Sequence, residues 1–370
     1  GDAYAFLMKK ISTLEITPAQ LALAPCNAGV VVTDIKTGEV LALVSYPGYD
    51  NNRIGDSASF SQLQNDLSLP LYNNATQAKK APGSTFKPLT AVAALEEHVI
   101  GIDDTIECTG RYEEIDTPIK CWIYPGRHGP LNMVGGLLNS CNFFFADLGH
   151  RLSMDAEGNY VPSLGLDKLH KYAAMFGLDH KSGVEIDELE PQISDIDPER
   201  SAMGQGNHAY TNVQLSRYVA AIASRGNVFE LSLLDKITDS EGNLIKDYTP
   251  EISSHIDAAD STWDTVQQGM REVIASGTAK KLFADLEVPI AGKTGTAQEA
   301  KNKPNHAFFI SYAPYNNPEI CVTVNIPYGY SASNAANIAK SVYQYYYGEI
   351  DLESILNAGA RDAANVTIRD

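Results

Sequence analysis

Strand-like runs at both ends of this 370-residue chain, with helical sequence between them, constrain its fold more than any other feature. Gly29 to Tyr46, GVVVTDIKTGEVLALVSY, sets two β-branched, apolar runs around Lys36-Thr37-Gly38 and reads as a hairpin with a glycine at its turn. Residues 289–298, 306–313 and 319–327 are each rich in β-branched or aromatic residues. Their connections are too short for parallel crossovers, so the sheet should be antiparallel. Between the ends, apolar spacing predicts a helix opening at or just before Ser84 and helical pieces over 131–149 broken at residues 139–142. Further helices are expected over 166–176, 213–224 and 262–275, with another at 332–347. The expected class is α/β of the α+β kind: a central antiparallel sheet from residues 28–48 and 285–328, flanked by helices, with a helical subdomain inserted at roughly 81–230. Residues 1–27 read as a lead-in from an upstream region, leaving one unit over 28–370. Residues 47–80 read as polar loop, 99–130 as irregular and 230–260 as a polar hairpin with loops.

At 44% hydrophobic and 20% charged the chain can bury a large core, which excludes the disordered classes. Its 46 acidic against 28 basic side chains give a formal charge of -18, unfavourable for nucleic acid or an anionic membrane surface. The opening segment GDAYAFLMKKISTLEITPAQ is too short and too charged in its apolar run for a signal peptide or a membrane span, so any anchor is expected upstream. The five cysteines, at 26, 108, 121, 141 and 321, form no C-x-x-C pair and read as reduced, partly buried thiols, although Cys108 and Cys121 are near enough to bridge a loop. The eight histidines show no metal-binding spacing, so neither metal nor cofactor is expected.

Three short motifs carry chemistry. In Ser84-Thr85-Phe86-Lys87, positions i and i+3 share a helix face, so the serine hydroxyl and lysine amine can meet, nucleophile beside base. Ser140-Cys141-Asn142 puts a hydroxyl and a carboxamide on a bend between helices, able to relay a proton and hold an amide. Lys293-Thr294-Gly295-Thr296 lies in a strand, where a glycine signals close approach of another backbone or a ligand, and its lysine and hydroxyls suit a carboxylate. Each motif alone is common on surfaces, caps and edge strands. The order S-x-x-K, S-x-N, K-T-G is that of serine β-lactamases and penicillin-binding proteins.

With the phrases PGSTFKPLTAVAALE, HGPLNMVGGLLNSCNFFF, MGQGNHAYTNVQLS and AGKTGTAQEAKNKPNHAFFISYAP, nearly the whole chain resembles the penicillin-binding transpeptidase domain, most of all its class B, monofunctional form. The resemblance implies Ser84 as acylated nucleophile, Lys87 as general base, Ser140 and Asn142 as proton relay and amide contact, and Lys293 as added positive charge. It implies that Thr294 and Thr296 grip the substrate carboxylate beside Gly295, and that the backbone N–H groups of Ser84 and Thr296 form an oxyanion hole. The implied reaction is acyl transfer from peptidoglycan stem peptides ending in D-Ala-D-Ala, blocked covalently by β-lactams. The implied partners are a polytopic glycan polymerase and the cell-wall machinery, on the extracytoplasmic face of the cell membrane. Membrane attachment would run only through an N-terminal anchor, and the chain without it is expected to be soluble. Asn212 departs from the proline that many relatives carry and is expected to alter only a helix start. His128, in GRHGP, resembles a structural loop position.

Three other activities use the same fold. A class A β-lactamase would add an E-x-x-x-N loop between the second and third motifs, and the acidic run from Glu185 to Glu190 lacks its asparagine. A D,D-carboxypeptidase differs only in taking water as acceptor, and a non-catalytic β-lactam sensor typically departs in the second motif, which is intact here. The turn Gly204-Gln205-Gly206-Asn207 reads equally as the floor of the site or as a tight turn before a helix.

Overall fold

The computed structural model describes residues 2–13, 15–16, 27–299 and 303–357; Cys26 lies outside them. Strands β1 (Ala28–Asp34) and β2 (Val40–Tyr46) form the expected hairpin. Strands β3 (Ala291–Ala297), β4 (His306–Ala313) and β5 (Ile320–Ile326) follow near the other end. All five make one antiparallel sheet in the order β3-β4-β5-β1-β2, so the two chain ends meet where Gly29 pairs with Asn325 and Val31 with Thr323. Every residue of β4 and β5 is buried, so both faces of these central strands are covered.

The helices around the sheet and the site are α1 (Lys87–Glu96), α2 (Met133–Leu138), α3 (Asn142–Leu152), α4 (Pro162–Met175), α5 (Pro198–Ser201), α6 (Asn212–Ala223), α7 (Asp260–Ala275) and α8 (Ala332–Tyr346). Side chains of β5 alternate between two cores. Ile320, Val322, Val324 and Ile326 pack with Ala335, Ala336, Ala339 and Tyr343 of α8. On the opposite face, Cys321 and Thr323 meet α6 through Ser216 and Asn212. Helix α1 is buried from Lys87 to Leu95 and is rich in alanine, which lets α4, α7 and α3 close around it.

Asn212 does more than set a helix start. Its amide donates to the carbonyls of Gly29 and Thr323, 3.1 Å each, stitching α6 to both strands at the seam between the chain ends. A proline there could not make these bonds.

The polar segment 47–80 contains a helix at Ser57–Asn65, opened by Asp56, whose carboxylate accepts from the Ser59 N–H. Its sequence, SASFSQLQN, has too few apolar residues to announce a helix face. Residues 99–130 hold strand pieces two or three residues long, among them the pairs Arg111–Lys120 and Tyr112–Ile119. The hairpin expected within 230–260 pairs Lys236–Thr238 with Leu244–Asp247. Among the described residues no helix is long and apolar enough to cross a membrane.

Candidate active site

Ser84 lies in a 3-10 turn, Gly83–Phe86, that feeds directly into α1, so its N–H stands at the start of the helix as expected. Glycine is required on both sides of the contact between this turn and β3. Gly83 has φ +55°, and a Cβ on it would lie 2.6 Å from the Thr296 carbonyl oxygen. A Cβ on Gly295 would lie 2.6 Å from Thr85 Cγ2 and 2.9 Å from the Pro82 oxygen. The turn of Gly204, φ +79°, backs the nucleophile turn: the Gly83 N–H donates to the Gly204 carbonyl at 3.0 Å, and a Cβ on Gly204 would strike the Gly83 oxygen. This turn therefore supports the site as well as leading to α6.

Ser140 joins α2 to α3 with φ 49°, a left-handed conformation costly for serine, and is fully buried. That turn aims two motifs at one point. Lys87 Nζ donates to the Ser140 carbonyl at 2.8 Å, to Ser140 Oγ at 3.2 Å and to Asn142 Oδ1 at 2.8 Å. From β3, Lys293 Nζ donates to the same Ser140 Oγ at 2.8 Å and to the Thr294 carbonyl at 3.0 Å. Both lysines are fully buried, and Lys87 also sits 5.4 Å from the centre of the Phe145 ring. A hydroxyl has two acceptor sites and one donor, so accepting from both lysines leaves the Ser140 O–H free to donate.

The structure thus brings Ser84, Lys87, Ser140, Asn142, Lys293, Gly295 and Thr296 together. Thr294 stands apart: it is fully buried and its Oγ1 has no hydrogen-bond partner, whereas Thr296 lines a cleft of about 450 Å³ with Ser84 and Asn142. The cleft is completed by Pro118, Ile119 and Lys120, by Arg200, Met203 and Gln205, and by Gln298 and Asn305.

Beneath Phe86, His208 is buried with its ring centroid 4.3 Å from that of Phe86. Its Nδ1 accepts from the Ser194 N–H and its Nε2 meets the Ser201 carbonyl, which fixes a neutral ring. Burial pushes its pKa down to about 3. An unfolded chain takes up this proton near pH 6.5 and the native one does not, so stability falls as the pH drops from about 6.5 towards 3. The expected slope is at most about 1.4 kcal/mol per pH unit. Denaturation midpoints at pH 7 and pH 5 should differ less in His208→Gln than in the parent; an equal difference would exclude His208 as a source of it.

A second cluster was invisible in the sequence. Cys108, Cys121, His128 and Cys141 come from four separate segments, yet their ligand atoms all lie within 4.8 Å of one another. His128 Nδ1 is 3.6 Å from the sulfurs of both Cys108 and Cys121, and Cys121 and Cys141 are 3.8 Å apart, sulfur to sulfur. A tetrahedron with ordinary zinc–sulfur and zinc–nitrogen bonds has edges of about 3.8 Å between sulfurs and about 3.6 Å between sulfur and nitrogen. Hydrogen bonding from Cys141 pulls the Cys121 and Cys108 thiols down, while the same contacts push Cys141 up and thiolate neighbours raise His128. The cluster can hold a four-coordinate divalent ion. His128, expected as a loop residue, is a candidate ligand, and Cys141 sits inside the second catalytic motif. The spacing C-x12-C-x6-H-x12-C matches no short motif, so only the fold reveals it.

Residues 28–344 match the model of the penicillin binding protein transpeptidase domain. The peptidoglycan D,D-transpeptidase MrdA of Haemophilus influenzae is 32% identical over 88% of this chain and 54% of its own length. The chain therefore spans about half of that relative. Pseudomonas aeruginosa PBP2, solved in complex with WCK 5153, superposes with a TM-score of 0.76 at 29% identity, covering 90% of this chain and 78% of that one. A structure described as the coordination of polymerization and crosslinking by a peptidoglycan synthase complex has a TM-score of 0.76 at 26% identity, covering 88% and 56%. With the three motifs converging as they do, the chain belongs to the penicillin-binding protein transpeptidase family.

Proposed function

We propose that the chain, within residues 28–370, is a serine D,D-transpeptidase that cross-links peptidoglycan stem peptides. The observation that carries this reading is the convergence of two buried lysines on the Ser140 hydroxyl, one of them, Lys87, a helical turn from Ser84. Like charges brought to one oxygen away from water favour the state in which one ammonium has given up its proton. Lys87 then takes the proton of Ser84 as Oγ attacks the amide between the last two D-alanines. The Ser84–carbonyl bond forms, the developing oxyanion is held by the N–H groups of Ser84 and Thr296, and the terminal D-alanine leaves with a proton relayed through Ser140. Thr296, with Lys293 behind it, holds the departing carboxylate. An amine of a second stem peptide attacks the ester and restores Ser84. A β-lactam follows the first half and leaves its acyl group on Ser84.

The test is incubation with a stem-peptide mimic and an amine acceptor. Release of D-alanine with a cross-linked product is expected; release with no cross-link would reassign the chain as a carboxypeptidase. Intact-mass measurement after penicillin treatment should show one adduct on the parent and none on Ser84→Ala; an undiminished adduct on the variant would remove Ser84 from its role. We place it at the outer face of the cell membrane beside a glycan-polymerising partner, a pairing supported by the similarity to the complex that couples polymerization to crosslinking.

The cysteine–histidine cluster favours a second, compatible assignment: a zinc ion bound by Cys108, Cys121, His128 and Cys141 as a closed structural site. It would fix the loop between α2 and α3 from behind, because Cys141 is flanked by Ser140 and Asn142. Protein purified without chelator should carry about one zinc per chain by elemental analysis, and Cys108→Ser should lose it together with several degrees of Tm. Metal-free protein of unchanged Tm and acylation rate would remove this role.

A further inference from the structure

Next to the paired backbones of the nucleophile turn and β3, four side chains close on one carboxylate. Glu299, three residues after Thr296, accepts at Oε2 from Lys80 Nζ at 2.7 Å and from His306 Nε2 at 2.8 Å. Lys80 lies four residues before Ser84. The Tyr328 hydroxyl is 3.3 Å from each Glu299 oxygen, and Lys303 Nζ is 4.0 Å from Oε1. In the chain, Glu299 follows Gln298 and His306 follows Asn305, both of which line the cleft.

The histidine fixes this carboxylate. His306 opens β4 and is buried. Its Nδ1 accepts from the Tyr328 N–H at 3.0 Å, and a backbone N–H can only donate, so the ring proton stands on Nε2 and points at Glu299. Burial lowers the His306 pKa, which favours this neutral ring. Tyr328 takes φ 55° to offer that N–H, and Tyr330, at φ 63°, donates its own to the Asn305 carbonyl at 3.1 Å. A turn with two tyrosines in the left-handed region is costly and persists only where its surroundings demand it. On the other side Lys80 is anchored by its backbone, which exchanges hydrogen bonds of 3.1 and 2.9 Å with Tyr210. The Lys80 amine, with His306 adding to its effect, holds the Glu299 carboxyl down at about 2. Glu299 is therefore charged whenever the protein is folded and working.

We infer that Glu299 is a positioning residue for acyl transfer: held by His306, it draws the end of β3 toward Lys80 and so helps set the distance between the N–H groups of Ser84 and Thr296. The inference rests on the acyl-transfer reading and adds to it a group that touches no reacting atom. The contacts at Gly83 and Gly295 limit how closely turn and strand can approach. A steric limit supplies no attraction; the ion pair of Glu299 with Lys80 does, from one end of the contact. Its effect is bounded, because a clamp can shift the balance between tight and loosened sites by no more than its own free energy. The ion pair with Lys80 is partly exposed and therefore weak. The bond from buried His306 to a charged carboxylate is of the stronger kind, and losing it leaves a buried N–H unpaired. Glu299 should thus matter more than Lys80.

The experiment follows acylation by penicillin G over a range of concentrations by intact mass, which separates the limiting rate from the half-saturating concentration. In Glu299→Ala the limiting rate should fall about 10- to 100-fold, the span of a charged hydrogen bond. The half-saturating concentration should stay within about 3-fold of the parent, as for a group that acts on the transition state alone. Lys80→Ala should lose about 3-fold, and Lys80→Arg, which keeps the ion pair, should stay close to the parent. The double variant should be no slower than Glu299→Ala, because the lysine acts through the carboxylate. A contact that serves stability alone would lower Tm and leave the limiting rate of the folded protein unchanged. A parental limiting rate in Glu299→Ala would overturn the clamp. So would losses that multiply in the double variant, or a Lys80→Arg as slow as Lys80→Ala. A parent that penicillin does not acylate would instead overturn the acyl-transfer reading.

Discussion

Lys87→Ala should slow acylation by penicillin about 100- to 10,000-fold, the range spanned by removal of a positioned general base. The expected pattern is more informative than the size. Lys87 Nζ is the donor to the Ser140 carbonyl and to Asn142 Oδ1, so the variant loses the base and also unties the loop that carries the second motif. Buried acceptors left without a donor cost about 1–3 kcal/mol each, so Tm should fall as well. Lys87→Gln separates the two effects: its amide can still donate to the loop, so stability should largely recover while acylation stays slow. The measurement is second-order acylation by intact mass beside calorimetry. Near-parental acylation in Lys87→Gln would show that the lysine positions the loop and does not take the proton.

The second large effect is expected at a residue that touches no substrate. Gly83→Val puts a β-branched side chain at φ +55° and directs its Cβ into the Thr296 carbonyl. The turn and β3 must separate, and with them the N–H groups of Ser84 and Thr296. Losing one donor of an oxyanion hole costs about 100- to 1000-fold in rate. Acylation should drop by that much although Ser84, Lys87, Ser140 and Lys293 are all present. Gly204→Ala, which strikes the Gly83 oxygen from the other side, should show a smaller loss of the same kind. Parental acylation in Gly83→Val would mean that the turn and strand tolerate separation.

Much of this arrangement was legible from the sequence because its signals are local. Lys36-Thr37-Gly38 between two apolar runs specifies a hairpin, and three closely spaced β-rich segments with no room for crossovers specify antiparallel neighbours. The converging motif residues were legible for a different reason. Ser84 and Lys87 are a helical turn apart, and Ser140 and Asn142 flank a helix cap, so each pair is set by local backbone geometry. What joins Lys293 to Ser140 is tertiary, and no spacing within either segment predicts the 2.8 Å contact; only the motif set as a whole implied it.

The features that escaped reading have equally physical causes. The helix at 57–65 has a serine- and glutamine-rich face with little to bury, so its cap at Asp56 was the only signal. Strand pieces of two or three residues hold at most one and a half β periods, too few for alternation to show. The four ligands of the cysteine–histidine cluster are separated by 12, 6 and 12 residues on irregular backbone, where spacing carries no geometric meaning. Thr294, read as a substrate contact from its place beside Lys293, proves enclosed, since the strand presents Thr296 to the cleft instead.

The pairing of Gly29 with Asn325 has a consequence for how the enzyme comes into being. Strands β1 and β2 leave the ribosome long before β5 exists, and until β5 arrives the β1 edge of their hairpin is unpaired. The nucleophile turn waits in the same way, because the strand that supplies Thr296 and Lys293 lies more than 200 residues downstream of Ser84. No truncated or half-delivered chain can therefore assemble a working site. Such an order of events makes folding slow and exposes strand edges while it proceeds. It also ensures that Ser84 meets its neighbours on β3 only when the whole sheet has formed.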